Sequence, residues 1–273
     1  MTISDFGDHK LIFLGTGGGR IHCSTQYRRT GGIIYYFNGA QAHIDPGPGA
    51  IVYLNQMNID RLKTKWVIVT HAHTDHCNDV PVIIESLHET LKKKAGTLIT
   101  TNQYLNSLDE YYIRLMEQVI VMKNGKKFKL TNITEIQGTK VMHGKTEGFG
   151  LIFTQNSMKN PQGQYKIAFT SDTEIFNGFA EQFDGVDILV ANVLRPNDRH
   201  CPRHACVDEI IPTICAIHPK IFIMTHFGAY MDSKYSKKDL VPDQVKKIKN
   251  SVPQDIKVIG AKDGMQIEIA KQL

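Results

Sequence analysis

The stretch Trp66-Val67-Ile68-Val69-Thr70-His71-Ala72-His73-Thr74-Asp75-His76 decides how the rest of this chain is read. Its first five residues, β-branched or aromatic throughout, predict a buried strand. Four imidazole or carboxylate groups (His71, His73, Asp75, His76) then crowd into the next six positions. Neutral imidazole and carboxylate are good ligands for zinc and similar divalent ions. Gathering them on one loop without a cation has a desolvation cost that nothing offsets. A metal site is therefore expected here, in preference to a merely polar loop.

Working outward, the same pattern of an apolar run followed by a ligand-type residue recurs. His143 closes the strand-like run from Thr139, Asp172 follows Phe169-Thr170-Ser171, and His226 follows Ile223-Met224-Thr225. Further strands are predicted at 10–14, 33–37, 42–45, 98–100, 119–122, 150–154, 167–170, 188–191, 220–225, 257–259 and 265–269. Apolar residues at helical spacing (Val80, Ile83, Ile84, Leu87, Leu91) predict a helix over 80–94 ending in lysines. Two more helices are expected at 206–217 and 239–250. Many strands with interspersed helices imply two sheets packed together and covered by helices. No repeat, low-complexity tract or linker interrupts the chain, so 1–273 is expected to be a single domain.

The motif and its successors resemble the metallo-β-lactamase fold superfamily. His-x-His-x-Asp-His is matched at every fixed position by His71, His73, Asp75 and His76, and His143, Asp172 and His226 follow in the superfamily's order. The resemblance implies a four-layer αββα sandwich. It also implies two divalent ions, zinc or alternatively manganese or iron. His71, His73 and His143 would hold one ion and Asp75, His76 and His226 the other, with Asp172 between them. Two ions about 3.5–4 Å apart can lower the pKa of a bridging water and neutralise charge on the attacked group. Asp75 could also orient that water or accept its proton.

Fold alone does not name a substrate. A histidine at His73 argues for hydrolysis, because the redox members resemble one another in carrying a carboxylate there. Asp172 is a bridging ligand that true β-lactamases of this fold lack, which leaves antibiotic hydrolysis at most secondary. His204, in Pro202-Arg203-His204, resembles the extra histidine of the ribonuclease Z and cyclic-phosphate phosphodiesterase branch, where it assists the leaving group. The transfer-RNA-clamping arm of ribonuclease Z is inserted between the third histidine and the bridging aspartate. Here that interval is 172 − 143 = 29 positions, enough for a hairpin (150–154, a turn at 160–163, 165–170). A cyclic nucleotide, another small phosphodiester or a nucleic-acid end is the expected substrate. A thioester or lactone-type ester is the alternative on the same centre. A binding protein that has lost catalysis has little support, since all seven ligand positions are intact. The resemblance also makes a homodimer an expectation.

Arg20, after Gly15-Thr16-Gly17-Gly18-Gly19, and Arg195 are the candidates for contacting a substrate anion, since guanidinium matches phosphate geometry. The glycine-rich loop lacks the lysine and following helix of a P-loop. Asp45-Pro46-Gly47 reads as a supporting turn. His200, Cys201, His204 and Cys206 together have enough ligand types for an additional structural zinc, though no second cysteine pair completes a finger-like spacing.

Bulk properties agree with an ordinary globular protein: 41% hydrophobic and 22% charged residues. A net charge of +5 is compatible with anionic substrates. Five cysteines without repeated spacing argue against a disulfide framework and for free thiols. No apolar run approaches the ~18 residues of a membrane span, and the polar start at 1–8 has no signal-like character. A cytoplasmic protein is the expectation.

Overall fold

The computed structural model describes residues 8–90, 93–157 and 163–273. By contact density it comprises two compact units. One runs through 8–122 and takes back 262–271; the other holds Lys123–Ala261 with Gln272–Leu273.

The first unit is built on β1 (Lys10–Phe13), β2 (Ile33–Phe37), β3 (Ala40–Ile44), β4 (Thr64–Ile68), β5 (Thr97–Thr100) and β6 (Gln118–Val121). The second carries β7 (Lys127–Lys129), β8 (Thr134–Thr139), β9 (Gly150–Asn156), β10 (Gln164–Phe169), β11 (Ile188–Arg195), β12 (Ala205–Cys206), β13 (Ile221–Thr225) and β14 (Lys257–Gly260). A last strand, β15 (Gln266–Glu268), returns to the first unit beside β1.

Both sheets follow one plan. In the first, the order is β15-β1-β2-β3-β4-β5-β6, antiparallel as far as β3 and parallel beyond it. In the second, the order is β14-β13-β11-β10-β9-β8-β7, antiparallel from β7 to β10 and parallel from β10 to β14, with β12 alongside β11. Parallel neighbours need crossover helices. Val80–Ser86 links β4 to β5, Val207–Ile217 links β12 to β13, and Val241–Ser251 links β13 to β14. Ligands of open parallel sheets collect at the carboxyl ends of the strands. Asp45 follows β3, His71 to His76 follow β4, Asp172 follows β10, Arg195 ends β11 and His226 follows β13.

Each unit has its own apolar core. In the first, Val67, Val69 and Leu98 pack with Val80, Ile83, Ile84 and Leu87. In the second, Leu189, Ala191, Phe222 and Met224 pack with Val207, Ile210, Ile214 and Ile248. All five residues of β13 are buried, which explains its unbroken apolar run Ile-Phe-Ile-Met before Thr225. Full burial of one such side chain contributes about 1.5–3 kcal/mol.

Two predicted elements differ from expectation. The helix expected over 80–94 stops at Ser86. There the Arg61 guanidinium donates to the carbonyls of Ser86 and His88, taking groups that further helical turns would have used. Positions 91 and 92 of that expectation lie outside the described residues, as does most of the turn expected at 160–163. The strand expected over 139–143 does not form: Thr139 is the last residue of β8, which begins at Thr134. Beyond it the Lys140 N–H goes to Gln182 Oε1 (2.7 Å) and the Met142 N–H to Thr173 Oγ1 (2.9 Å), so side chains replace the ladder. His143 therefore stands on a loop. Among the described residues, no helix is long and apolar enough to cross a membrane. The five cysteines are free, as expected.

Candidate metal centre

In the first unit the site begins with the parallel pairing of β3 and β4, which sets Ile44 opposite Ile68. That register brings Asp45, whose backbone is left-handed (φ 51°), beside the start of the histidine loop. The Asp45 carboxylate accepts the Thr70 N–H at Oδ1 (2.7 Å) and the Thr70 hydroxyl at Oδ2 (2.8 Å). Oδ2 also accepts His76 Nδ1–H at 2.8 Å. His76 must then present its lone pair at Nε2. Thr70 has one hydroxyl hydrogen, already given to Asp45, so its oxygen accepts from His71 Nδ1 at 3.1 Å. His71 likewise keeps its lone pair on Nε2.

His71 Nε2 faces His73 Nδ1 at 3.0 Å, a separation at which two imidazole nitrogens share a proton or a cation. The His71 and His76 rings lie 4.0 Å apart between centroids, and His76 Nε2 is 3.6 Å from Asp75 Oδ2. Asp75 Oδ2 accepts the Gly19 N–H at 2.6 Å. The glycine-rich loop thus bears on the site through a backbone amide that steadies Asp75. Arg20, the next residue, is exposed on the short helix Gly19–Thr25.

In the second unit, His143, Asp172 and His204 each offer a ligand atom within 4.8 Å of the others. His143 Nδ1–H donates to the Arg203 carbonyl at 2.8 Å, which again leaves Nε2 with the lone pair. Arg203 has φ 72°, and its own N–H donates to Glu174 Oε2 at 3.1 Å. Asp172 is 2% exposed and accepts Asn192 Nδ2–H at Oδ1 (2.8 Å). His226 Nε2 lies 3.3 Å from Asp172 Oδ1, and His204 Nδ1 lies 3.4 Å from Oδ2. Ser171 and His226 both adopt positive φ (57° and 58°). Left-handed backbone at non-glycine residues costs about 1–3 kcal/mol each and clusters at functional sites.

The donor sets fit divalent metal. His71, His76 and His143 are each engaged at Nδ1, which puts the lone pair on Nε2, the arrangement that metal-bound histidines adopt. Sequence reasoning missed Asn192, Thr70 and the Arg203 carbonyl, and took Asp45 for turn support. Only Asp45-Pro46-Gly47 carried a signal, as a carboxylate at a strand end.

Arg195, the last residue of β11, lies over the Tyr230 ring, its Cζ 4.2 Å from the centroid. Among the described residues no cysteine joins a cluster of three or more ligating groups. Cys206 instead caps the helix Val207–Ile217: its side chain accepts from the Glu209 amide while the Cys206 N–H donates to Glu209 Oε2 (2.9 Å). Glu209 Oε1 also binds His200 Nδ1 at 2.6 Å. Burial pushes the Cys206 thiol up to about 11.

Comparison with known proteins agrees with this architecture. Residues 41–227 match the β-lactamase superfamily domain. An uncharacterized protein of Methanocaldococcus jannaschii, MJ1374, is 31% identical over 95% of both chains. Ribonuclease Z of Thermococcus kodakarensis is 24% identical over 93% of this chain and 96% of its own. The structure of YhfI, a metallo-β-lactamase fold protein from Bacillus subtilis, superposes with a TM-score of 0.74 at 14% identity, over 95% of this chain and 99% of YhfI. The fold class expected from the sequence is the one found. With its ordered histidines and aspartates and a superfamily domain over most of its length, the chain belongs to the β-lactamase superfamily, as a metallo-β-lactamase-fold hydrolase related to ribonuclease Z.

Proposed function

We propose that this protein is a dinuclear metal-dependent phosphodiesterase whose 273 residues work as one catalytic domain. Its substrate is a cyclic nucleotide, another small phosphodiester or a nucleic-acid end. His71, His73 and His143 would hold one ion and Asp75, His76 and His226 the other, with Asp172 serving as a ligand to both. The placement of His204 beside Asp172 carries the reading. The carboxylate, 3.4 Å from a ring nitrogen of His204, fixes the ring's direction and leaves its other nitrogen to face a leaving group. Departure of an alkoxide needs a proton.

The ions, zinc or alternatively manganese or iron, would supply Lewis acidity toward the phosphoryl oxygens and lower the pKa of the attacking water. The remaining work falls to side chains. Asp75, steadied by the Gly19 amide, orients the water or takes its proton. His204, with Nδ1 turned to Asp172, delivers a proton from Nε2 to the leaving oxygen. Arg20 and Arg195 bind the substrate's anionic groups. Kinship with ribonuclease Z supports a phosphodiester over a thioester.

The test is hydrolysis by full-length protein loaded with zinc or manganese. The panel holds bis(p-nitrophenyl) phosphate, 3′,5′- and 2′,3′-cyclic nucleotides and short RNA, with Asp172→Ala and His204→Ala as controls. Turnover of a diester that Asp172→Ala abolishes supports the reading. Metal binding without turnover of any diester overturns it, and esters and thioesters come next.

A further inference from the structure

Beside the ligand candidates of the second unit lies a surface of which only Arg195 has been given a role above. Tyr230 follows His226 by four residues and is 39% exposed. Arg195 Cζ lies 4.2 Å and Arg199 Cζ 5.2 Å from the centroid of its ring. Tyr235, 48% exposed, lies 6.1 Å away between centroids. Ser236 ties the two tyrosines together by donating its hydroxyl to the Tyr230 carbonyl. Neither guanidinium has a carboxylate within ion-pair distance among the described residues, whereas Lys238 and Lys247 nearby are paired with Asp243 and Asp208.

The placement is built by the fold. Arg195 ends β11 in register with Cys206, two residues after His204. The Gly228 N–H donates to the Leu194 carbonyl at 3.0 Å, which clamps the His226 loop against the end of β11. A Cβ on Gly228 would come within 2.7 Å of that carbonyl oxygen, so the close approach needs glycine. The aromatic and basic groups are therefore carried by the same strand ends that carry His204 and His226.

We propose that Tyr230, Tyr235, Arg195 and Arg199 form a binding platform for single-stranded nucleic acid. Two cations without acidic partners, held over one ring, suit two successive phosphates. The neighbouring exposed ring offers a face for an unpaired base. Interleaved aromatic and guanidinium groups are how proteins hold single strands without reading sequence. A simple inorganic or alkyl phosphodiester would use the guanidiniums and leave the tyrosines idle. The proposal rests on reading the adjacent His204–Asp172–His226 group as the reacting end of a phosphodiesterase, and it narrows that enzyme's substrate to a nucleic-acid strand or end.

The test is fluorescence anisotropy of a 5′-labelled single-stranded RNA decamer with the full-length protein, metal removed by chelation so that nothing is cleaved. Stacking of a base changes affinity roughly fivefold to a hundredfold. Tyr230→Ala is expected to weaken binding at least fivefold and Tyr235→Ala about threefold to tenfold, while Tyr230→Phe stays within about twofold. The Arg195→Ala/Arg199→Ala double variant should reduce the slope of log affinity against log salt by about 1.4, or 0.7 per lost phosphate contact. The matching RNA duplex should bind more weakly than the single strand. Should Tyr230→Ala unfold, Tyr235→Ala and the arginine pair still decide. Unchanged affinity in the tyrosine variants, or equal affinity for the duplex, overturns the platform. Turnover of the chromogenic diester by the metal-loaded enzyme is scored separately. A platform with no turnover sinks the phosphodiesterase reading alone, and turnover without tyrosine-dependent binding sinks the platform alone.

Discussion

Asp172 and His204 meet side chain to side chain, with Oδ2 of the carboxylate 3.4 Å from Nδ1 of the ring, while the other oxygen of Asp172 faces His226 Nε2 at 3.3 Å. One buried carboxylate thus addresses a ligand candidate on one side and a proton-donor candidate on the other. The His143 and His204 rings are also only 4.8 Å apart.

If His204 protonates the leaving oxygen, its removal must matter in proportion to how much that oxygen needs a proton. His204→Ala is expected to lower turnover of a cyclic nucleotide or RNA by roughly 10²–10⁴-fold. With a p-nitrophenolate leaving group, stable as an anion, the loss should be far smaller. Steady-state rates on both substrate types check this. Equal losses on both would place His204 in metal or substrate binding instead.

Asp45 orders the first unit's ligands without being one of the predicted set. It fixes His76 through Nδ1 and, by engaging the Thr70 hydroxyl, sets the direction of the bond between Thr70 and His71. Loss of such an outer partner typically costs 10–100-fold in metal affinity. Asp45→Ala should show a loss of that size in competition with a chromogenic chelator. Asp45→Asn, which can still accept from Thr70, should fall between it and wild type. Affinity unchanged in both would reduce Asp45 to a turn residue.

The candidate ligands could be picked out of the sequence because they sit directly after strand-like runs or in one six-residue loop. A run such as Phe169-Thr170-Ser171-Asp172 shows both strand and candidate ligand at once. Asp45 could not be, since its role depends on a parallel pairing that brings β3 beside a strand more than twenty residues further on. The same limit explains the boundaries. Nothing local to Thr139–His143 says that Gln182 and Thr173 will take its amides, and nothing in Val80–Lys94 shows that Arg61 will claim the carbonyls at Ser86 and His88. The aromatic partner of Arg195 was hidden for the same reason: Tyr230 reaches it only through the clamp of Gly228 on Leu194. Cys206 read in the sequence only as a candidate zinc ligand, and in the structure its thiol caps the helix.

Gly47, in the turn after Asp45, packs directly against the backbone of the ligand loop. A Cβ there would lie 2.0 Å from the Asp75 carbonyl oxygen and 2.3 Å from that of Thr30, both backbone atoms. The Asp75 carbonyl cannot move without shifting the loop that carries Asp75 and His76. Gly47→Ala is expected to destabilise the protein by about 1–3 kcal/mol, as overpacking does, and to weaken metal binding as well. Urea unfolding of the metal-free protein and chelator competition measure the two effects separately. Normal stability and normal metal affinity together would show that this contact is not tight in solution.

His43 gives the fold a pH dependence of its own. Its side chain is fully buried, Nε2–H donates to the Gly31 carbonyl at 2.9 Å, and Nδ1 has no partner among the described residues. Burial drives its pKa down from 6.5 to about 4, against smaller opposing effects from the Gly31 bond and from Asp79 and Asp45. In the unfolded chain the ring takes a proton near pH 6.5, so between there and about pH 4 the unfolded state binds more protons. Stability from this group is therefore complete above the unfolded pKa and falls as pH drops through the window, by up to about 1.4 kcal/mol per pH unit. His43→Gln, which retains a donor for Gly31 but does not titrate, should be less stable than wild type at pH 7.5. It should lose less on going to pH 5, so the gap between the two proteins narrows by roughly 2 kcal/mol. Urea unfolding of both proteins at the two pH values, in chelator so that the ligand histidines contribute equally, reads that difference. Parallel losses in the two proteins would mean that His43 titrates in the folded state much as it does in the unfolded one.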